Sequence, residues 1–128
     1  MSKSFSLINE TRTKSPSASV FLSIKNASLG KNYHLNIIIT TPAKIKKLNT
    51  IYRDKEEATD ILSFPISDNE GEIFICPSEA KKEAVKFGRT YENFLKFLLI
   101  HGCVHLKGYD HGSTMENIEV GLRKEFGV

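Results

Sequence analysis

Long apolar runs are missing from this chain. A membrane-crossing helix needs roughly 20 consecutive apolar residues, and the longest run here, residues 94–100, is interrupted by Lys96. The first residues carry Lys3, Phe5, Leu7 and Ile8 and then turn polar at once. They lack the apolar core, roughly 7–15 residues long, of a secretory signal. The expectation is a cytoplasmic protein with no membrane partner. Cysteine is scarce. Cys76 and Cys103 are the only two, they form no CxxC pair, and they supply no disulfide framework. Both are expected to be buried free thiols. Charge of one sign is also lacking: the net charge is only +3 and the pI about 8.8. That permits a nucleic-acid partner without demanding one. There are no internal repeats and no low-complexity segment, so the 128 residues are read as a single domain, 1–128.

Taken in order, the chain alternates strand-like and helix-like stretches. Residues 4–9 read as an edge strand, 20–27 as one or two helical turns, and 33–40 as a β-branched strand. Thr41 and Pro42 cap and open a helix whose stripe is Ile45, Leu48, Ile51 and Tyr52. Residues 59–66 form a strand in which Pro65 marks an edge or an end, because proline cannot donate to a ladder. Residues 67–71 read as a loop and 72–76 as a short strand. The helix opened by Pro77 has Ala80, Ala84, Val85 and Phe87 as its apolar face and ends at Gly88. Thr90 caps a helix over 91–107, and a last helix over 113–126 packs Met115, Ile118, Leu122 and Phe126. About four strands and four to five helices make an α/β fold of the α+β type.

Histidine is concentrated rather than scattered. Three of the four, His101, His105 and His111, fall within eleven residues. A helix turns about 100° per residue, so His101 and His105 share a face one turn apart. Gly108 is suited to stop that helix in a left-handed conformation. The chain then doubles back and brings His111 toward the first two. Three imidazoles without a fourth protein ligand make a catalytic zinc site, whose open position holds water. Asp110 fits an outer-shell or turn-forming place better than a ligand's, Cys103 faces the other side of the helix, and His34 reads as an ordinary half-buried strand residue.

The spacing H-x-x-x-H-x-x-G-x-x-H matches the zinc cage of the metzincin peptidases at every histidine and at the glycine. The position of their general-base glutamate is Gly102 here, and glycine takes no proton. The cage is kept and the peptidase base is gone. A metzincin-like zinc peptidase is therefore the weaker alternative.

The run HGCVHLKGYDH resembles the signature H-G-x-L-H-L-x-G-Y-D-H of the YbeY family of bacterial endoribonucleases, with Val104 for leucine. Residues 48–65, LNTIYRDKEEATDILSFP, resemble the family's L-N-x-x-Y-R-x-K-D-x-P-T-D-V-L-S-F-P. Residues 71–75 resemble its G-D-I-x-I strand. The resemblance implies a small mixed sheet beside several helices and one Zn²⁺ held by His101, His105 and His111. It also implies a catalytic role for Arg53. The activity it implies is cleavage of single-stranded RNA in late 3′-end maturation of small-subunit ribosomal RNA and in ribosome quality control. The partners it implies are ribosomal RNA, the small subunit and ribosome-assembly proteins, and the alternative beside it is a non-catalytic, zinc-containing ribosome-assembly factor. Chemistry supports Arg53 separately, since a guanidinium offers a permanent charge and a planar fork to a phosphate. On the residues alone, the leading reading is that Arg53 pairs with Asp54, Glu56 or Asp60 on the surface. Lys44, Lys46 and Lys47 either attract the RNA backbone or form a solvated helix face.

Overall fold

A computed structural model describes residues 4–109 and 112–128. His111 and Asp110 lie outside the described residues, as does Lys3. The elements run β1 (Phe5–Asn9), α1 (Ala18–Leu29), β2 (His34–Ile39), α2 (Pro42–Arg53), β3 (Ile61–Ser67), β4 (Glu70–Ile75), α3 (Pro77–Lys86), α4 (Tyr91–Leu106) and α5 (Ser113–Phe126). The four strands form one mixed sheet in the order β1-β2-β4-β3. β1, β2 and β4 are parallel, and β3 returns antiparallel to β4. The small mixed α/β architecture expected from the sequence is what the chain adopts.

Burial explains the order. The central strands β2 and β4 carry Ile37, Ile38 and Ile39 and Ile73, Phe74 and Ile75, all buried. Consecutive residues of a strand face opposite sides of the sheet, so an unbroken apolar run serves a sheet covered on both faces. Ile37, Ile39, Ile73 and Ile75 join the main core with α1, α4 and α5. Ile38 and Phe74 join a smaller one with Leu62, Cys76 and Ile45 of α2. The edges go to β1 and to β3, where Pro65 sits beside a register irregularity.

Local chemistry sets the helix ends. The Thr41 hydroxyl accepts from Lys44 N at 3.3 Å with Pro42 in the first turn. The Thr90 hydroxyl accepts from Asn93 N at 3.1 Å. Four expectations need correction. α1 spans twelve residues rather than the eight of 20–27, because its buried side includes Lys25 and Ser28, which break the apolar pattern. β4 begins at Glu70 and leaves only Asp68 and Asn69 in the turn. On α2, Ile45 is buried but Ile51 and Tyr52 are exposed, since the core beneath that helix is small. On α3, Ala80 and Ala84 are buried while Val85 and Phe87 point outward.

Candidate metal centre and phosphate cleft

α4 presents the two described histidines of the cluster. His101 and His105 lie one turn apart, their ring centroids 5.4 Å apart and their planes at 84°. The helix ends at Leu106 and Gly108 adopts φ +103°, the left-handed break the sequence calls for. His101 Nδ1 lies 3.0 Å from Glu119 Oε1. Glu119 is buried, at 4% exposure. A carboxylate beside Nδ1 fixes the tautomer with the proton there and leaves Nε2 with its lone pair, which is how metal-ligating histidines are commonly braced. Arg123 Nη1 lies 3.7 Å from the same Glu119 oxygen, and Arg123 Nη2 donates to Glu116 Oε1 at 3.2 Å. The brace is thus itself held from the next turn of α5.

The donor set suits zinc as far as it is described: two imidazoles on one helix face, one of them braced by a buried carboxylate. Among the described residues no group of three or more potential ligands converges. The third proposed ligand, His111, is outside them. Cys103 takes no part. It is fully buried in the main core, and burial pushes its thiol up to about 12. A thiol that stays protonated is a poor ligand. His34 begins β2 and is half-buried, as expected.

Arg53 ends α2. Its Nη2 donates to the carbonyl oxygen of Ser63 at 3.0 Å, and its guanidinium lies 5.7 Å from the centre of the Phe64 ring. The alternative of a carboxylate partner is not realised among the described residues; a backbone carbonyl of β3 anchors Arg53 instead. This position brings it into one cleft of about 370 Å³ with Ser63, Pro65, His101 and His105. Residues some fifty positions apart in the chain therefore share a cavity. Lys44 pairs with Glu10 at 3.3 Å. A larger cavity, about 590 Å³, is lined by Lys14, Lys81, Tyr91 and Lys96. It contains no histidine, so chemistry rather than size identifies the candidate site.

Gly102 has a second role besides the missing base. A Cβ there would stand 2.9 Å from Ser63 Oγ and 3.1 Å from both Ile61 Cδ1 and Ile73 Cδ1. α4 lies so close to the sheet that a side chain at this position enters only if the ends of Ser63, Ile61 and Ile73 give way.

Residues 3–125 match the family model described as Endoribonuclease YbeY. The chain belongs to the YbeY family. It is 40% identical over 94 residues to an Endoribonuclease YbeY of Thermotoga maritima, a match covering 72% of this chain and 63% of that protein. It is 34% identical over 109 residues to the Endoribonuclease YbeY of Finegoldia magna, covering 76% of this chain and 71% of that one. The solution structure of a Thermotoga maritima protein superposes with a TM-score of 0.66 at 29% identity, over 95% of this chain and 88% of that one. Glu119 and Arg123 were not singled out from sequence. Their signal is a carboxylate at a core-facing place in the stripe Met115, Ile118, Leu122.

Proposed function

We propose that this chain is a zinc-dependent endoribonuclease that cuts single-stranded RNA, with Zn²⁺ held by His101, His105 and His111 and with Arg53 as the catalytic arginine. The observation that carries the reading is the shared cleft of Arg53, His101 and His105. Zinc, when bound, supplies Lewis acidity and makes a water acidic near neutral pH.

The chain's own residues do the rest. The exposed Arg53 guanidinium spends one of its five N–H donors on Ser63 O. The remaining donors are available to non-bridging oxygens, where charge builds as a phosphodiester is cleaved. Anchoring on β3 fixes the plane of the fork before substrate arrives, so less ordering is needed on binding. Glu119 orients His101 from behind. Gly102 supplies no base, so the proton of the nucleophile leaves to another acceptor. Ribosomal RNA of the small subunit, and the assembly proteins that accompany it, are the substrate and partners that the family points to. A net charge of +3 is compatible with an RNA partner. The absence, among the described residues, of a helix long and apolar enough to cross a membrane raises no obstacle to that partnership.

The test is cleavage of a labelled single-stranded RNA by the zinc-loaded chain and by two variants. Arg53→Ala is expected to lose roughly 10²–10³-fold in rate, the usual effect of removing a preorganised charge-stabilising donor, while keeping its zinc. His105→Ala is expected to lose zinc and activity together. Wild-type rates in both variants would point to a contaminating nuclease and overturn the assignment.

A further inference from the structure

Phe87 is a large apolar ring left 56% exposed beside the candidate site. It caps the C-terminus of α3. One ring face is not idle: Phe87 stacks on the buried Phe94 at 5.4 Å and 30°, and its centroid is 5.7 Å from that of Phe97. Phe94 and Phe97 are themselves stacked at 5.6 Å and 15°. The three rings are in mutual contact, and Phe87 is the member that meets solvent.

Its position gives it meaning. Phe87 and Phe97 line a second cleft, about 400 Å³, together with His101, Glu116 and Arg123. His101 also lines the cleft that holds Arg53. The two clefts thus share His101. A strand whose phosphate sits between Arg53 and the histidines can therefore continue into the second cleft.

We propose that the Phe87 face is a stacking platform for an unpaired nucleobase of RNA flanking the phosphate to be cut. This rests on the endoribonuclease reading and extends it to the means of recognising a single strand. Every base has a π-face, but only an unpaired one can lay it on a protein ring. Backing by Phe94 holds Phe87 in place, so little side-chain freedom is lost on binding. Two guanidiniums border the rings, Arg89 at 4.6 Å and Arg123 at 5.5 Å from the Phe97 ring centre. Within the second cleft two carboxylates, Glu116 and Glu119, pair with one guanidinium, Arg123, so the cleft carries no positive excess of its own. Its attraction for RNA comes from the ring and not from net charge.

The test compares the zinc-loaded chain with Phe87→Leu, Phe87→Ala and Phe87→Tyr on a short single-stranded RNA, intact or lacking one base beside the cut. Leucine keeps the apolar packing on Phe94, so any loss it shows is a loss of stacking and not of folding. We expect Phe87→Leu and Phe87→Ala to raise KM by roughly 5- to 100-fold, the range measured for loss of one base–aromatic stack, with kcat much less affected. Phe87→Tyr restores wild-type KM. Removing the base weakens the wild type by a similar factor and leaves the leucine variant unchanged. The ratio between wild type and Phe87→Leu holds as salt is raised, whereas overall affinity falls. Wild-type KM in Phe87→Leu, or an equal effect of base removal on both proteins, overturns the platform and leaves the face to a protein partner. A wild type that neither binds nor cuts the RNA overturns this inference and the endoribonuclease reading together.

Discussion

A buried carboxylate needs partners, and Glu119 has two, His101 Nδ1 at 3.0 Å and Arg123 Nη1 at 3.7 Å. Replacing it with glutamine keeps the shape and an acceptor oxygen but removes the charge that favours a proton on Nδ1. Outer-sphere changes of this kind cost roughly 10–100-fold in metal affinity, so Glu119→Gln is expected to bind zinc that much more weakly. Competition with a chromophoric chelator measures it without reference to activity, and equal affinity in both proteins would remove Glu119 from the site. A half-buried acid, Asp60, behaves in the opposite sense. Burial, and then the charge of Glu83, raise the pKa of Asp60 above the ordinary carboxylate value, against hydrogen bonds from its own backbone N–H, from Thr59 Oγ1 at 3.4 Å and from the backbone N–H of Ile61. Because the folded form holds this proton more tightly than the unfolded chain, the stabilising contribution is complete below the unfolded pKa. It is lost as pH rises through the folded value. At neutral pH the ionised carboxylate opposes folding, so Asp60→Asn should melt higher than wild type at pH 7. That advantage should shrink as the pH falls toward 4. Melting curves from pH 3 to pH 7 check the sign, and a variant less stable than wild type at pH 7 would refute it.

Among the elements, α4 was the most legible. Its cap Thr90, its histidine face and its glycine stop all follow from helical geometry and turn chemistry. The distance at which it docks was not legible, because that depends on partners far away in sequence. Two glycines set it reciprocally. Gly102 of α4 meets Ser63, Ile61 and Ile73 of the sheet, and Gly71 of β4 lies where a Cβ would meet Leu106 of α4 at 3.0 Å and the Tyr33 hydroxyl at 2.5 Å. The same close approach explains why Gly71, which looks like a loop residue in sequence, belongs to a strand. α1 extends beyond its apolar pattern for a related reason: Lys25 is buried and its Nζ donates to Lys31 O at 3.1 Å, so a buried position carries a charged residue. Since Gly102 stands between the histidines and faces Ser63, which anchors Arg53, a methyl group there pushes the two walls of the cleft apart. Overpacking of this kind costs about 1–3 kcal/mol. Gly102→Ala is expected to lower the denaturation midpoint by that amount and to reduce RNA cleavage by more than the lost stability explains. Unchanged stability would show that the sheet yields freely at this point.

For the whole molecule, the sequence announced four strands and their helices but not that β4 would lie between β2 and β3. Strand order is decided by which apolar faces must be covered, and that becomes visible only when both cores are seen, one under α1, α4 and α5 and one under α2. Neither core contains His101 or His105. The histidines rest on a scaffold that is already packed without metal, unlike a small zinc domain whose folding energy is the metal's binding energy. The metal-free chain is therefore expected to be folded, with a cooperative melting transition. Because zinc binds the native arrangement and not the dispersed histidines of the unfolded chain, free zinc at 100 times its Kd should add about 2.7 kcal/mol. For a chain of this size that is a rise of several degrees in Tm. His105→Ala should melt near the metal-free wild type and gain little from zinc. Calorimetry with and without a chelator separates the outcomes: a metal-free chain that is unfolded would make the ion a structural element, and a Tm indifferent to zinc in the wild type would remove the metal from the site.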